Sequence, residues 1–445
     1  MSVSNLRSVM WLTATLALSG LTVACDGKTD TTDETDTTDM TDTTDTTDTT
    51  DTTDTGDTTT PAESVYGVVS VPATTGGGDT TSYLILGNSL TEAFDPADAV
   101  LEISGRAIAA SPIGSTQVFV GSSDSAELVR YDYADGALTE SGRVSFAAQQ
   151  VTSFAGYSSQ LQFVDEDTAY WFSRDGRVVI WNPADMLVLD SIIVADMIRE
   201  DPANPGNNFT TSITGAPLWD GDTLYSFVSW DSRTAGTITI PGAYGVLAVD
   251  TTNDTAAFYV DDAGCGYGRD AVRDGDYLYI ATEAVGTSVR FLNEANGPAP
   301  CLRRFNVTTN EFDDAFNVDL NTLAGGPAGS LAITASGEAL IHVLDTDLAT
   351  PLVEDETITN PRVLSSTELW QPARLTVGDT PSVELIDVPL GTASVLPVTL
   401  DGGLRVTPTF GATPQIVEIT TDGFVATDET GGAVEGFTAA VFQIQ

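Results

Sequence analysis

The residues best placed to do chemistry are few in kind. The 445-residue chain holds a single histidine, His342, in "ALIHVLD". Strand alternation sets it on the face opposite Ile341 and Val343, and with no second histidine it cannot build a copper, zinc or quinoprotein centre. We read it as a structural residue. The sequence contains no Gly-x-Ser-x-Gly nucleophile elbow, which argues against a Ser-His-Asp hydrolase. The turns Asp220-Gly221-Asp222 and Asp274-Gly275-Asp276 offer carboxylates to Ca2+, but they lack a full loop of alternating oxygen donors, and Asp-Gly is a preferred hairpin pair. Turn formation is the expectation and calcium binding the alternative. Carboxylates are otherwise so abundant that no catalytic pair stands out.

One segment is distinctive: "GCGYGRDAVRDGDYLYIATEAVGTSVRFLNEANGPAPCLRRFN", residues 264 to 306. It carries Arg269, Arg273, Arg290, Arg303 and Arg304, and Cys265 and Cys301 bracket it. Gly264, Gly266 and Gly268 allow close backbone approach beside Tyr267; no helix start follows them, so they are not a nucleotide fingerprint. The structural reading pairs the arginines with neighbours such as Asp262, Asp270, Asp274 and Glu283. The functional reading is a positive, aromatic-lined pocket for an anionic ligand, built from Arg269, Arg273, Arg290, Arg303, Arg304 and Tyr267. Besides Cys25, the two cysteines are the only thiols. In an exported chain they are expected to form one disulfide, and two thiols with one histidine make a metal site improbable.

The chain has 64 acidic and 17 basic residues, a formal charge of −47, and its only lysine is Lys28. Such a field repels nucleic acid and anionic headgroups, so neither is expected as a partner. A dense acidic surface without lysine fits a saline habitat, where salt screens self-repulsion.

The N-terminus explains where the charge works. Met1 to Ser8 carries one positive charge, and Val9 to Ala24 is apolar, small or hydroxylated, the pattern of a secretory signal peptide over 1–24. It is too short to span a bilayer comfortably. Leu21-Thr22-Val23-Ala24-Cys25 resembles a bacterial lipobox, which implies lipidation at Cys25. Aspartate then recurs at every third position from Asp30 to Asp57. A Thr/Asp run has too little apolar surface to offset its ordering entropy, so 25–61 is expected to be a disordered tether. The localisation expected is outside the cytoplasm, in the outer membrane or periplasm, held by the lipid.

Residues 62–445 read as one all-β domain. Short β-branched or aromatic runs bounded by Gly, Asp, Asn or Pro recur throughout, and only "VADMIRE" and the neighbourhood of Leu320 hint at helix. Two elements alternate along the chain. One is a polar turn before an aromatic strand, with tyrosines at Tyr170, Tyr225 and Tyr279. The other is an apolar strand closing on Asp132, Asn182, Asp250 or Asn306 and then a hairpin. A repeat of this size predicts a β-propeller of seven blades, six to eight being compatible with the length. "VYGVVSV" near the start and "AAVFQIQ" at the end are expected to complete one blade together.

"FVDEDTAYWFSRDGRVVIWNPADMLVLDSI", "VSFAAQQ" and the "GCGYGRDAV" to "PCLRRFN" segment resemble exported lipoproteins of myxobacteria that accompany genes for the catecholate siderophore myxochelin. The resemblance spans roughly Tyr66 to Val343. It implies a propeller-like, lipid-anchored, non-catalytic monomer that takes part in ferric-siderophore uptake, with no cofactor and with an anionic small molecule or an envelope protein as partner. A propeller hydrolase or lactonase using channel carboxylates and Ca2+, or a structural or adhesive scaffold, are the alternatives.

Overall fold

The computed structural model describes residues 64–72, 80–213, 215–234, 237–411 and 414–444. The expected signal peptide, Cys25 and the Thr/Asp tether lie outside them. The described chain folds into seven antiparallel sheets arranged as a β-propeller ring, six of them four-stranded and the fourth six-stranded, because Leu218–Asp220 and Thr237–Thr239 also pair with Thr223–Thr234. Blade 1 is shared by the two ends of the domain: Phe437–Ile444 is its innermost strand, followed outward by Val65–Val71, Thr81–Gly87 and Leu101–Ser104. The expected joint blade is therefore formed, with Val65 opposite Ile444 and Val71 opposite Phe437. Blades 2 to 7 follow in sequence order. Their innermost strands are Ala107–Ala110, Leu161–Phe163, Thr210–Ile213, Gly268–Asp274, Ala328–Ile333 and Val398–Thr399.

Burial falls from the axis outward. The inner strands of blades 2 and 3 are wholly buried, whereas outermost strands such as Leu187–Ile193 and Ser382–Leu385 are largely exposed. Consecutive blades pack face to face through shared cores. Tyr170, Phe172 and Ile180 of blade 3 meet Ile213, Leu224 and Leu247 of blade 4, and Tyr279 of blade 5 meets Leu331 and Ile341 of blade 6.

The two repeated sequence elements now have physical roles. Asn182, Asp250 and Asn306 end the third strand of their blades, and their side-chain oxygens accept N–H groups of the next turn: Asp185 at 2.8 Å, Thr252 at 2.9 Å and Thr308 at 2.9 Å. The following hairpins pass through left-handed residues Met186, Asp254 and Asn310. The tyrosines reach across to the neighbouring blade, Tyr170 Oη donating to Asp254 at 2.6 Å and Tyr225 Oη to the Val307 carbonyl at 3.5 Å. Gly221 and Gly275 are left-handed at φ +57°, so both Asp-Gly-Asp segments are turns between first and second strands. Among the described residues no three or more His, Cys, Asp or Glu side chains gather as a metal site.

Helix was under-read. Ala195–Met197 is a 3-10 turn and Leu320–Ala324 a short α-helix, but Ala284–Leu292, Thr346–Glu354 and Pro361–Ser365 are helices that the sequence does not announce. Gly286, Thr287 and Ser288 are poor helix formers. Ala284–Leu292 stands on tertiary packing of Ala284, Val285 and Val289 and on Glu283, whose carboxylate accepts the Val285 N–H at 2.8 Å.

Because every blade runs up and down in the same sense, the connections into first strands and those from second to third strands all emerge on one face, here called the upper face. The helices of blades 5 and 6 belong to it. The domain's ends, Ser64 and Ile444, leave on the lower face, where the Gln443 amide donates to the Ser64 hydroxyl at 3.1 Å.

Two outcomes follow. Ending the chain after Glu435 removes the strand that closes blade 1, including buried Val441, Phe442 and Ile444. We expect loss of the cooperative thermal transition by circular dichroism; an unchanged melting temperature would show that closure is dispensable. His342 is fully buried against Phe424, ring centroids 4.6 Å apart, and burial pushes its pKa down from 6.5 to about 4. Held neutral when folded, it takes up a proton on unfolding, so its contribution is complete above pH 6.5 and is lost as pH falls toward 4, roughly 3 kcal/mol in all. His342→Gln should melt with a shallower decline between pH 7 and 4.5 than the parent. Parallel curves would contradict this.

Candidate functional site

The upper mouth of the ring gathers charged and aromatic side chains from blades 1 to 6. Most stand just before a first strand or at the end of a second strand, and Arg362 stands in the connection that follows one. Arg106 precedes Ala107–Ala110; Tyr157 caps the turn that enters Leu161–Phe163; Arg174 lies in the turn after Ala169–Ser173. Asp231 lies near the end of Thr223–Thr234, Tyr267 immediately precedes Gly268–Asp274, and Glu283 follows Tyr277–Thr282. Arg362 comes from the helix Pro361–Ser365 of blade 6.

Arg106 and Arg174 lie over the Tyr157 ring at 4.8 and 4.9 Å from its centroid, and Arg106 is also 5.1 Å from the Phe437 ring of blade 1. Arg106 and Arg174 are half-buried, with the Nε atom of each out of contact with solvent, while Tyr157, Tyr267 and Arg362 are buried. Burial lowers the Arg106 pKa; Tyr157 opposes this, and the charges of Arg174 and Arg362 lower it further. Three arginines thus share one field. Arg362 is also penalised by burial, but Tyr267, Tyr157, Asp231 and Glu283 raise its pKa overall.

Below this rim lies a buried ion cluster. Arg269 meets Asp270 at 3.2 Å and Glu283 at 3.5 Å, and its Nη2 donates to the Val395 carbonyl at 2.9 Å. Burial pushes Asp270 up to about 6 against the pull of Arg269, and burial likewise raises Glu283. Asp231, with no exposure, pairs with Arg233 at 2.8 Å.

Tyr267 holds its place through backbone geometry. Its φ is +57°, an uncommon setting for a bulky residue. A Cβ on Gly266 would lie 2.4 Å from the Pro241 carbonyl, and one on Gly268 2.9 Å from the Tyr244 ring. Only glycine fits on either side. The expected disulfide Cys265–Cys301 is formed, with Cα atoms 5.9 Å apart, and ties this segment to the third strand of blade 5.

Of the six residues singled out by sequence clustering, the structure brings only Arg269 and Tyr267 to the mouth. Arg290 is on the same face but is held by Glu294 and the Gly297 carbonyl, beside a cavity of about 310 Å³ walled by Phe291, Leu292, Pro300 and Pro327. Arg303 has no exposure and pairs with Asp261 at 2.7 Å. Arg304 bonds Asp313 and Asp379, each at 2.6 Å, over the Tyr277 ring on the flank of blade 5. Arg273 pairs with Asp220 at the lower turns. Antiparallel strands with alternating side chains disperse residues that are close in sequence. Arg106, Tyr157, Arg174, Asp231 and Arg362 were not legible as site residues. Aligning the blades by the start of each first strand and the end of each second strand is the signal that would have found all of them but Arg362, which lies in the helix Pro361–Ser365.

No family model matches the sequence, and no curated protein matches it. Many solved structures align along the fold, two among them over most of this chain. One is a candidate 6-phosphogluconolactonase from Bacteroides uniformis, 11 % identical with a TM-score of 0.47, covering 86 % of this chain and 100 % of the other. The second, a candidate 6-phosphogluconolactonase from Bacteroides fragilis, is 9 % identical with a TM-score of 0.45, covering 87 % and 100 %. Likeness at that level says nothing about ligand or chemistry here.

Proposed function

We propose that this propeller is an exported, lipid-anchored, non-catalytic binding protein that takes a small, multiply anionic and aromatic ligand at its upper mouth, a ferric catecholate siderophore being the specific form. The observation that carries this reading is the convergence of Arg106, Arg174 and Arg362 around Tyr157 and Tyr267 in a chain whose formal charge is −47. In an acidic body, a cationic mouth is where an anion is drawn. Guanidinium planes suit carboxylate, catecholate or sulfonate oxygens by paired hydrogen bonds and aromatic rings by stacking.

A hydrolytic reading, with a lactone as substrate, rests on one observation: Asp270 is held near 6 beside Arg269, in the range a general base uses.

Fluorescence titration of the protein with a ferric tris-catecholate and with naphthalene disulfonate tests the proposal. Saturable quenching in the micromolar range is expected with at least one of them. Arg174→Ala should weaken binding by about tenfold, as loss of one charge-assisted contact does, and Arg304→Ala, on the flank, should leave it unchanged. Equal weakening by both variants, or no saturable quenching with either probe, would overturn the assignment of the mouth. Steady release of a hydroxy acid from added lactones would move the protein to the hydrolase class.

A further inference from the structure

A cavity of about 310 Å³ opens on the upper face away from the mouth, where helix Ala284–Leu292 and Pro300 of blade 5 face the connection that leads into blade 6. Its walls are apolar: Phe291, Leu292, Pro300 and Pro327. Its polar groups are Asn293, Asn321, Glu294 and Arg290, and each is held in place. The Asn293 Oδ1 accepts the Ala295 N–H at 3.1 Å, and the Asn321 Oδ1 accepts the Ala328 N–H at 3.3 Å. Both carboxamides are thereby fixed in orientation, and each keeps an NH2 group that has no partner among the described residues. Arg290 donates to the Glu294 and Gly297 carbonyls at 3.1 and 3.2 Å and to one oxygen of the Glu294 carboxylate. The other carboxylate oxygen accepts nothing among the described residues.

The cavity thus offers two oriented donors, one oriented acceptor and an apolar wall. Its charge is balanced, because Glu294 neutralises Arg290, so an anion finds no spare cation there. A wholly apolar molecule would strip water from the two amide nitrogens without replacing it, which is unfavourable. The volume is at the small end of ligand pockets and holds one or two rings rather than a length of extended chain. An uncharged ring with a C–H face and hydroxyls along its edge meets every one of these conditions. Each hydroxyl both donates and accepts, and flat amide and carboxylate groups can span two neighbouring hydroxyls while the C–H face lies against proline and phenylalanine. Groups already fixed in the empty protein lose little freedom when such a ring binds.

We propose that this cavity is a second ligand site, separate from the mouth, which takes a neutral saccharide of one or two pyranose units. The C–H face packs on Phe291 and the two prolines, and the hydroxyls bond to Asn293, Asn321 and Glu294. The proposal does not depend on reading the mouth as an anion site.

Saturation-transfer NMR of the full protein with the methyl glycosides of glucose, galactose, mannose and N-acetylglucosamine provides the test. Saturable transfer in the millimolar range is expected with at least one of them, strongest at the ring C–H protons. Asn293→Asp and Asn321→Asp keep the Oδ1 that holds the backbone and remove only the donor. Each should retain the parent's circular dichroism spectrum and weaken binding about fivefold, as loss of one neutral hydrogen bond does. Arg174→Ala, at the mouth, should leave it unchanged. Absence of saturable transfer with all four glycosides, or equal binding by the parent and both Asp variants, overturns the saccharide site. Weakening by Arg174→Ala alone would put the sugar at the mouth and overturns it as well. None of these results bears on whether the mouth binds an anion.

Discussion

The pairing of Phe437–Ile444 with Val65–Val71 is the interaction on which the rest depends. A propeller blade buries its two faces only against its neighbours, so an open ring would leave apolar faces of blades 1 and 7 in water. The pairing joins residues at opposite ends of the domain and completes the core around Val68, Val441, Ile85 and Ile108. It also fixes the mouth. Phe437, at the start of that strand, lies against Arg106 of blade 2, and the guanidiniums of blades 2, 3 and 6 keep their mutual spacing only while the ring is closed. Closing so long a loop costs entropy that grows slowly with its length, while the burial gained is spread over both faces of the joint blade.

Within the ring, charge is managed by position. Arg303 with Asp261 across the border of blades 4 and 5, and Arg304 with Asp313 in blade 5 and Asp379 in blade 6, are arginines satisfied by nearby carboxylates. At the mouth the balance differs. Like charges on Arg106, Arg174 and Arg362 are brought within one another's field, with aromatic faces between them and acids behind. Gathering like charges is unfavourable, and Asp231 and Glu283 offset part of that cost at Arg362. The left-handed backbone of Tyr267, wedged between two glycines and fastened by the disulfide, is a second departure from local preference at the same place. Both departures sit at the mouth where we propose that an anion binds.

The sequence by itself determined the all-β class, the blade repeat and the joint blade, because each follows from local chemistry: period-two strands, Asp or Asn accepting the N–H groups of the next turn, and Asp-Gly hairpins. The cysteine pair was equally legible, since residues 62–445 hold only Cys265 and Cys301. Helix Ala284–Leu292 was not, because Gly286, Thr287 and Ser288 oppose it and only burial against its surroundings overrides them. The tertiary structure alone decided which arginines meet. Arg269, Arg273, Arg290, Arg303 and Arg304 are neighbours in sequence but sit on the first and third strands of blade 5 and on a helix, so they lie at the mouth, the lower turns, the upper face away from the mouth, the inter-blade core and the flank. Arg106, Arg174 and Arg362 are far apart in the chain and meet because every blade delivers the same two connections to the same end of the axis. Radial symmetry turns equivalent positions in different repeats into neighbours, and no local pattern in one repeat records that.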